Sequence, residues 1–263
     1  MVVQKDLYQH FHPDEYPFIE KMSDIVDRVE SQYLLEVTDF LNPREIAILK
    51  SLVAPTDLTI FASTDYYPSE YGRVIIAPDY YELDKDDFQI ALVGITYHAK
   101  FNQLTHGQVL GALINELGIR RDLIGDIFVE IGHAQFMVNR QLLSYFLGNI
   151  SKIAKVSVKL EEISFDQLIM SSGEVKHMDI MVSSLRLDRL IASVLKQSRS
   201  QAIKLIESDK VKVNYRLVNK VSDNVAIGDM VSIRGYGRFT LLTDNGLTKN
   251  EKYKLTLSKI MHK

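Results

Sequence analysis

The chain has 263 residues, is 46% hydrophobic and 25% charged, carries a net charge of −3 and contains no cysteine. That length exceeds one ordinary domain, and the composition is that of a globular protein, which excludes fibrous and low-complexity classes. The lack of cysteine excludes disulfides, thiolate metal centres and cysteine nucleophiles together, and suits a reducing compartment.

The first residues, Met1-Val-Val-Gln-Lys-Asp, show no basic segment followed by an apolar stretch. No apolar run along the chain approaches the ~20 residues of a membrane helix. A soluble, cytoplasmic protein without membrane contact is expected. From Glu15 to Leu35 helix formers dominate, and Phe18, Ile19, Met22, Ile25, Val26 and Val29 recur at helical spacing. Asn42-Pro43-Arg44-Glu45 predicts a second helix: Asn42 can cap it, Pro43 suits its first turn, and Glu45 stands where a capping box needs a carboxylate. Leu58–Ala62 and Gly72–Ala77 read as short strands between tyrosine-rich loops. These elements predict a mixed helical and β domain over residues 1–84.

Over 85–165 the predicted order is strand (Phe88–His98), helix (Thr105–Leu117, ended by Gly118), strand (Ile124–Glu130), a turn at Gly132-His133, strand (Ala134–Val138), helix (Arg140–Ile150) and strand (Ala154–Leu160). This β-α-β-β-α-β order predicts a ferredoxin-like domain, the arrangement many RNA-recognition domains use. The stacking aromatics of such domains are not evident on its central strands. After the soft stretch Ser171-Ser172-Gly173-Glu174 the chain reads as helix, helix and short strands. A last hairpin, Arg238–Thr243 with Lys252–Ile260, turns through Asp244-Asn245-Gly246 and a basic loop. The expected fold class is α+β and multi-domain, with a third domain over 183–243 and a C-terminal strand or tail over 244–263.

Charge is unevenly spread along this order. Ser183–Lys263 holds 16 basic and 7 acidic residues, a balance of +9, whereas residues 1–182 hold 15 and 27, a balance of −12. Clustered cations gain by displacing counterions from phosphates, so the basic part points to a nucleic-acid ligand. The acidic part leaves room for a protein partner.

The basic part also carries a motif: Leu185-Arg-Leu-Asp-Arg-Leu-Ile-Ala-Ser-Val-Leu195, Ser198-Arg-Ser-Gln-Ala-Ile-Lys-Leu-Ile206, Lys210-Val-Lys-Val-Asn214 and Val225-Ala-Ile-Gly-Asp-Met-Val-Ser-Ile233. Leu187, Leu190, Ile191, Val194 and Leu195 form one apolar helix face, leaving Arg186, Arg189 and Lys196 for solvent or ligand. Ser198 is placed to cap the next helix, where Arg199, Ser200 and free backbone N–H groups can meet a phosphate. Ala202, Ile203, Leu205 and Ile206 supply that helix's buried side. The stretch resembles the RNA-binding domain of ribosomal small-subunit protein four, the S-four domain, in element order and spacing over about 60 residues. The resemblance implies a non-catalytic module that reads RNA backbone geometry through arrayed cations. Its expected contacts are Arg186, Arg189, Ser198, Arg199, Ser200, Gln201 and Lys204, then Lys210, Lys212, Asn214, Tyr215 and Arg216, with Arg234 and Arg238 beyond. Any one of these cations, taken alone, reads equally as an ordinary solvated charge. Asp209 and Tyr215 stand where S-four domains commonly carry glycine. Asp209 tolerates a left-handed backbone, whereas Tyr215 is awkward in a turn and reads either as a turn residue or as a base-stacking ring.

Thr105-His-Gly-Gln-Val-Leu-Gly-Ala-Leu113, Gly118-Ile-Arg-Arg-Asp-Leu-Ile-Gly-Asp-Ile127 and Arg234-Gly-Tyr-Gly-Arg-Phe239 extend the likeness. They resemble the YlmH-type S-four proteins of Gram-positive bacteria. That resemblance implies structured rRNA or tRNA as ligand, association with the ribosome, the large subunit by analogy with related stalled-ribosome factors, and a link to cell division.

Other motifs are weaker. Arg186-Leu-Asp188 matches a pseudouridine-synthase tripeptide but falls within the helix just described. Lys21-Met-Ser23 lacks the partner motif of a class I synthetase. Gly235-Tyr-Gly237 lacks the third glycine and the helix of a dinucleotide site. His10 and His12 have no companion metal ligands, and His98, His106 and His133 are scattered. His106-Gly107 with Arg120-Arg-Asp122 forms a possible RNA-facing edge, and Asp122 with Asp126 a conceivable hydrolytic pair. No cofactor, metal or catalytic residue is expected. The competing readings are an RNA-modifying enzyme delivered by its S-four domain, with chemistry in the first 165 residues, and a division scaffold for which RNA is incidental.

Overall fold

The structure, a computed structural model, describes residues 11–100, 102–170 and 176–261. The chain divides into two compact units, Met1–Ser171 and Ser172–Lys263.

The first unit opens with helix α1 (Tyr16–Gln32), which buries Ile19, Met22, Val26 and Val29 and ends where Tyr33 turns left-handed at φ 55°. Helix α2 (Pro43–Val53) has the expected capping box: Glu45 N–H donates to Asn42 Oδ1 at 3.0 Å, and Asn42 N–H donates to Glu45 Oε2 at 2.8 Å. Both helices pack on a three-stranded antiparallel sheet ordered β1 (Glu36–Val37), β3 (Val74–Pro78), β2 (Leu58–Ala62). β1 forms an edge of that sheet.

The second half of this unit is a four-stranded antiparallel sheet with the order β5-β6-β4-β9, namely Ile124–Glu130, His133–Asn139, Ile90–Thr96 and Lys159–Ile163. That is the ferredoxin-like order, with the first and third strands at the centre. The turn between β5 and β6 is Ile131-Gly132, one residue earlier than expected, because Gly132 supplies the left-handed φ of 88° and His133 is already in the strand. Helix α3 (His106–Gly111) continues into a wider π-turn, Ala112–Glu116, and helix α4 (Leu143–Asn149) follows a 3₁₀ turn at Arg140–Leu142. The last strand differs from expectation. Ala154 is left-handed (φ 52°) and turns a two-stranded ribbon, β7 (Lys152–Ile153) with β8 (Val156–Ser157), so the sheet strand starts only at Lys159.

One face of this sheet takes α3 and α4 over a core of Ala91, Val93, Ile95, Val109, Phe136 and Phe146. The alternate residues, Ile90, Leu92, Phe128 and Met137, join Phe40, Ile75, Ala77 and Phe88 in a second core, so the other face is sealed against the first domain. Segment 165–169 closes this layer, with Phe165 stacked on Tyr67 at 4.0 Å and Ile169 N–H donating to the buried Gln135 side chain at 2.8 Å.

The second unit is a six-stranded antiparallel sheet ordered β10-β15-β14-β13-β11-β12. In chain order these strands are β10 (Lys176–Val182), β11 (Val211–Val213), β12 (Arg216–Leu217), β13 (Met230–Ile233), β14 (Gly237–Leu247) and β15 (Tyr253–Met261). Helices α5 (Leu187–Leu195) and α6 (Arg199–Glu207) share one core with one face of the sheet. The sheet takes in strands on both sides of the span 183–243. β10 has no counterpart in the sequence reading; it pairs with β15 from Lys176↔Lys259 to Val182↔Tyr253. β14 runs on through Asp244-Asn245-Gly246 as a bulge, Gly246 at φ 85°, and the chain reverses at Thr248–Lys252 instead.

Candidate nucleic-acid interface

The first turn of α5 holds a fully buried carboxylate, Asp188. Arg186, the residue capping that helix, donates Nε to Asp188 Oδ1 at 3.1 Å and Nη2 to Oδ2 at 3.2 Å, and Arg199 at the start of α6 donates Nε to Oδ2 at 2.6 Å. Burial pushes the Asp188 carboxyl up. The hydrogen bonds and charges of the two guanidinium groups outweigh that and hold it below its ordinary value. Two cations on one anion leave a surplus positive charge. Arg186 spends two of its five N–H donors here and Arg199 one, so both keep donors for a phosphate while their orientation is set from below.

Beside this fork, the start of α6 exposes a row of polar side chains. Ser198 accepts the N–H of Gln201 at 3.2 Å and its hydroxyl lies 2.9 Å from that of Ser200; Ser198, Arg199, Ser200 and Gln201 are all exposed. Arg189 turns the other way and hydrogen-bonds Ser183.

A second group sits at the far end of α6. Lys204 and Lys210 are exposed there, and Lys210 offers its carbonyl to the N–H of the exposed Arg234 at 2.8 Å. Among the described residues no carboxylate pairs with Lys204, Lys210, Lys212, Arg216 or Arg234. A third group lies on the sheet. Lys212, Ser232 and Arg238 are aligned across β11, β13 and β14, alternating with the core residues Val211, Val231, Ile233 and Phe239, and therefore occupy the face turned away from the helices. The expected cations thus come together as a helix-side pair of groups and a separate sheet-side group.

Asn214 and Tyr215 form the two-residue turn between β11 and β12, with Val213 opposite Arg216 and φ of 48° and 68°. This is the left-handed pair a tight hairpin requires, and Tyr215 holds the position glycine usually fills. Asp209 is left-handed too, at φ 55°. The Asn214 side chain is spent internally, donating to Asp229 Oδ1 at 2.7 Å and accepting from Met230 N–H at 2.9 Å.

In the middle domain, the arginines of the edge read in its sequence have partners within the fold. Arg120 pairs with Asp39 at 2.8 Å and Asp122 at 3.1 Å, and Arg121 lies 4.6 Å over the Tyr71 ring while its guanidinium bonds the Ile124 carbonyl. Asp126 accepts the N–H groups of Glu70 and Tyr71, and burial pushes its carboxyl up. Phe40 N–H donates to the Asp122 carbonyl at 2.7 Å, and a Cβ on Gly125 would come within 2.6 Å of the Phe40 ring. The stretch Gly118–Ile127 is a seam between two domains. The Asp126 carboxylate is a structural acceptor in it, and the Asp122 carboxylate pairs with Arg120. The sheet face that RNA-recognition domains expose is the one sealed by Phe40, Ile75 and Ala77.

The remaining histidines have local partners or none in common. His12 caps a 3₁₀ turn by accepting Asp14 N–H, His133 lies 3.2 Å from Glu130, and His10 is outside the described residues. Among the described residues no group of three or more His, Asp or Glu is placed to hold a metal ion, and no helix is long and apolar enough to cross a membrane.

Three family models match the chain: the N-terminal domain of YlmH over 14–81, the putative RNA-binding domain in YlmH over 84–167, and the S4 domain over 185–231. The Bacillus subtilis protein named ribosome-associated protein quality control protein P2 is 35% identical over 254 residues, covering 97% of this chain and 98% of that one. The solved structure of cell division protein ylmH from Streptococcus pneumoniae is 40% identical, covers 62% of this chain and 99% of its own, and superposes with a TM-score of 0.56.

Proposed function

The chain belongs to the YlmH family of S4-domain proteins, and from that footing we propose that it is a non-catalytic RNA-binding protein acting at the ribosome. Its ligand is structured rRNA or tRNA, gripped by the second unit, and its station is the large subunit during quality control of stalled ribosomes. It works in the cytoplasm, and its acidic first unit is free to engage protein. The observation that carries this reading is the set of unpaired, exposed cations Lys204, Lys210 and Arg234 at one end of α6, with the Asp188-held arginines at the other. Phosphates require cations that are not already spent on carboxylates. The name of the pneumococcal relative supports a link to cell division.

The test is co-sedimentation with ribosomal subunits at fixed salt, using Lys204→Glu with Lys210→Glu. Among the described residues neither side chain has a partner to lose, so the variant folds, and binding falls at least about tenfold from two reversed phosphate contacts. Undiminished sedimentation of the folded variant refutes the reading. Arg199 is unsuited to such a test, since a glutamate there faces buried Asp188.

A further inference from the structure

Residues 11–90 hold 17 acidic and 6 basic residues. Five of those cations are already committed: Arg28 to Glu36, Arg44 to Glu15, Lys50 to Asp65, Arg73 in the interior, and Lys85 over the Tyr66 ring. At the end of α1 this acidic domain leaves four large apolar side chains in solvent: Tyr33 at 71% exposure, Leu34 at 49%, Leu35 at 38% and Tyr80 at 69%. Tyr33, Leu34 and Leu35 follow one another in the chain just before β1, and Tyr80 Oη donates to the Tyr33 carbonyl at 3.5 Å, which brings the Tyr80 ring beside them. Exposed Asp79 and Glu82 flank Tyr80. The patch also borders β1, an open sheet edge.

We propose that this patch docks a lysine- and arginine-rich segment of a ribosomal protein, seated by aliphatic or aromatic anchors on Tyr33, Leu34, Leu35 and Tyr80. The inference rests on the ribosomal reading above. A domain so acidic is repelled by RNA, so on a particle made largely of phosphate only the proteins that neutralise those phosphates attract it. Contiguous exposed apolar groups rimmed by charge mark a protein contact. A basic, partly apolar segment satisfies both requirements; RNA satisfies neither.

The experiment places the photocrosslinker p-benzoylphenylalanine at Leu34 of the full chain and irradiates it with salt-washed ribosomal subunits. The expected product is an adduct with a Lys/Arg-rich peptide of a ribosomal protein, reduced at least about fivefold by Asp79→Lys with Glu82→Lys while co-sedimentation persists. An adduct with rRNA, an adduct only within the chain's own second unit, or no adduct from chains that still co-sediment overturns the docking proposal and leaves RNA binding standing. Loss of co-sedimentation by the unaltered chain overturns both.

Discussion

Asp188 is the residue on which the candidate interface turns. It is buried under two half-exposed arginines, and Asp188→Asn removes the charge that orients them. The expected cost is about 2 kcal/mol in the denaturant midpoint of the second unit, since both arginines can rehydrate. Its carboxyl is depressed in the folded state, so its contribution is fully present above the ordinary aspartate range and is lost as pH falls below about 4. Urea unfolding across that window should show a slope in the parent that flattens in the Asn variant. Tyr215 tests a different principle. Its left-handed backbone suits glycine, so Tyr215→Gly should leave stability unchanged or raise it by up to about 1 kcal/mol in a thermal melt. A loss of RNA affinity in that stable variant would assign the ring to RNA. The sequence pointed to Arg186 and Arg199 as cations but left unseen the carboxylate between them. Arg186-Leu-Asp188 reads only as part of a helix, and it is the helix phase that turns Asp188 inward.

At the scale of elements, helices and caps were the most legible, because the Asn42-Glu45 box and the apolar periods of α1 and α5 act within a few residues. Strands that depend on distant partners were less so. β10 exists because β15 lies beside it, more than 70 residues later, and its own alternation is broken by the apolar Met181 on its outer face. The seam strand β5 shows the same dependence on distant contacts. Gly125 falls inside the predicted strand with nothing in the sequence to mark its role, yet it lets Phe40 close on the sheet, so Gly125→Ala should destabilise the first unit by about 1–3 kcal/mol, read by chemical denaturation. Restoring the melt with a smaller residue at Phe40 would tie the loss to that contact.

For the whole molecule, the expected division of labour follows from charge and from cores that do not mix. The second unit's core draws only on residues after 177, the others only on residues before 170. Changes in one should therefore leave the other intact: combining Gly125→Ala with Asp188→Asn should give stability losses that add within about 0.5 kcal/mol. Titrating an rRNA fragment with the intact chain should show affinity falling steeply with salt, and Lys204→Glu should reduce the slope of log K against log salt by about 1. The acidic first unit, with its ferredoxin-like sheet covered, should contribute no such slope. The overall balance of −3 conceals this polarity; only counting by segment brings it out.

The placement of β15 between β10 and β14 has a bearing on biosynthesis. The strand that opens the second unit has no neighbour among the described strands until residues 253–261 have been polymerised, more than 70 codons later. While the chain is being made, that unit cannot close its core in step with synthesis, as the first unit can.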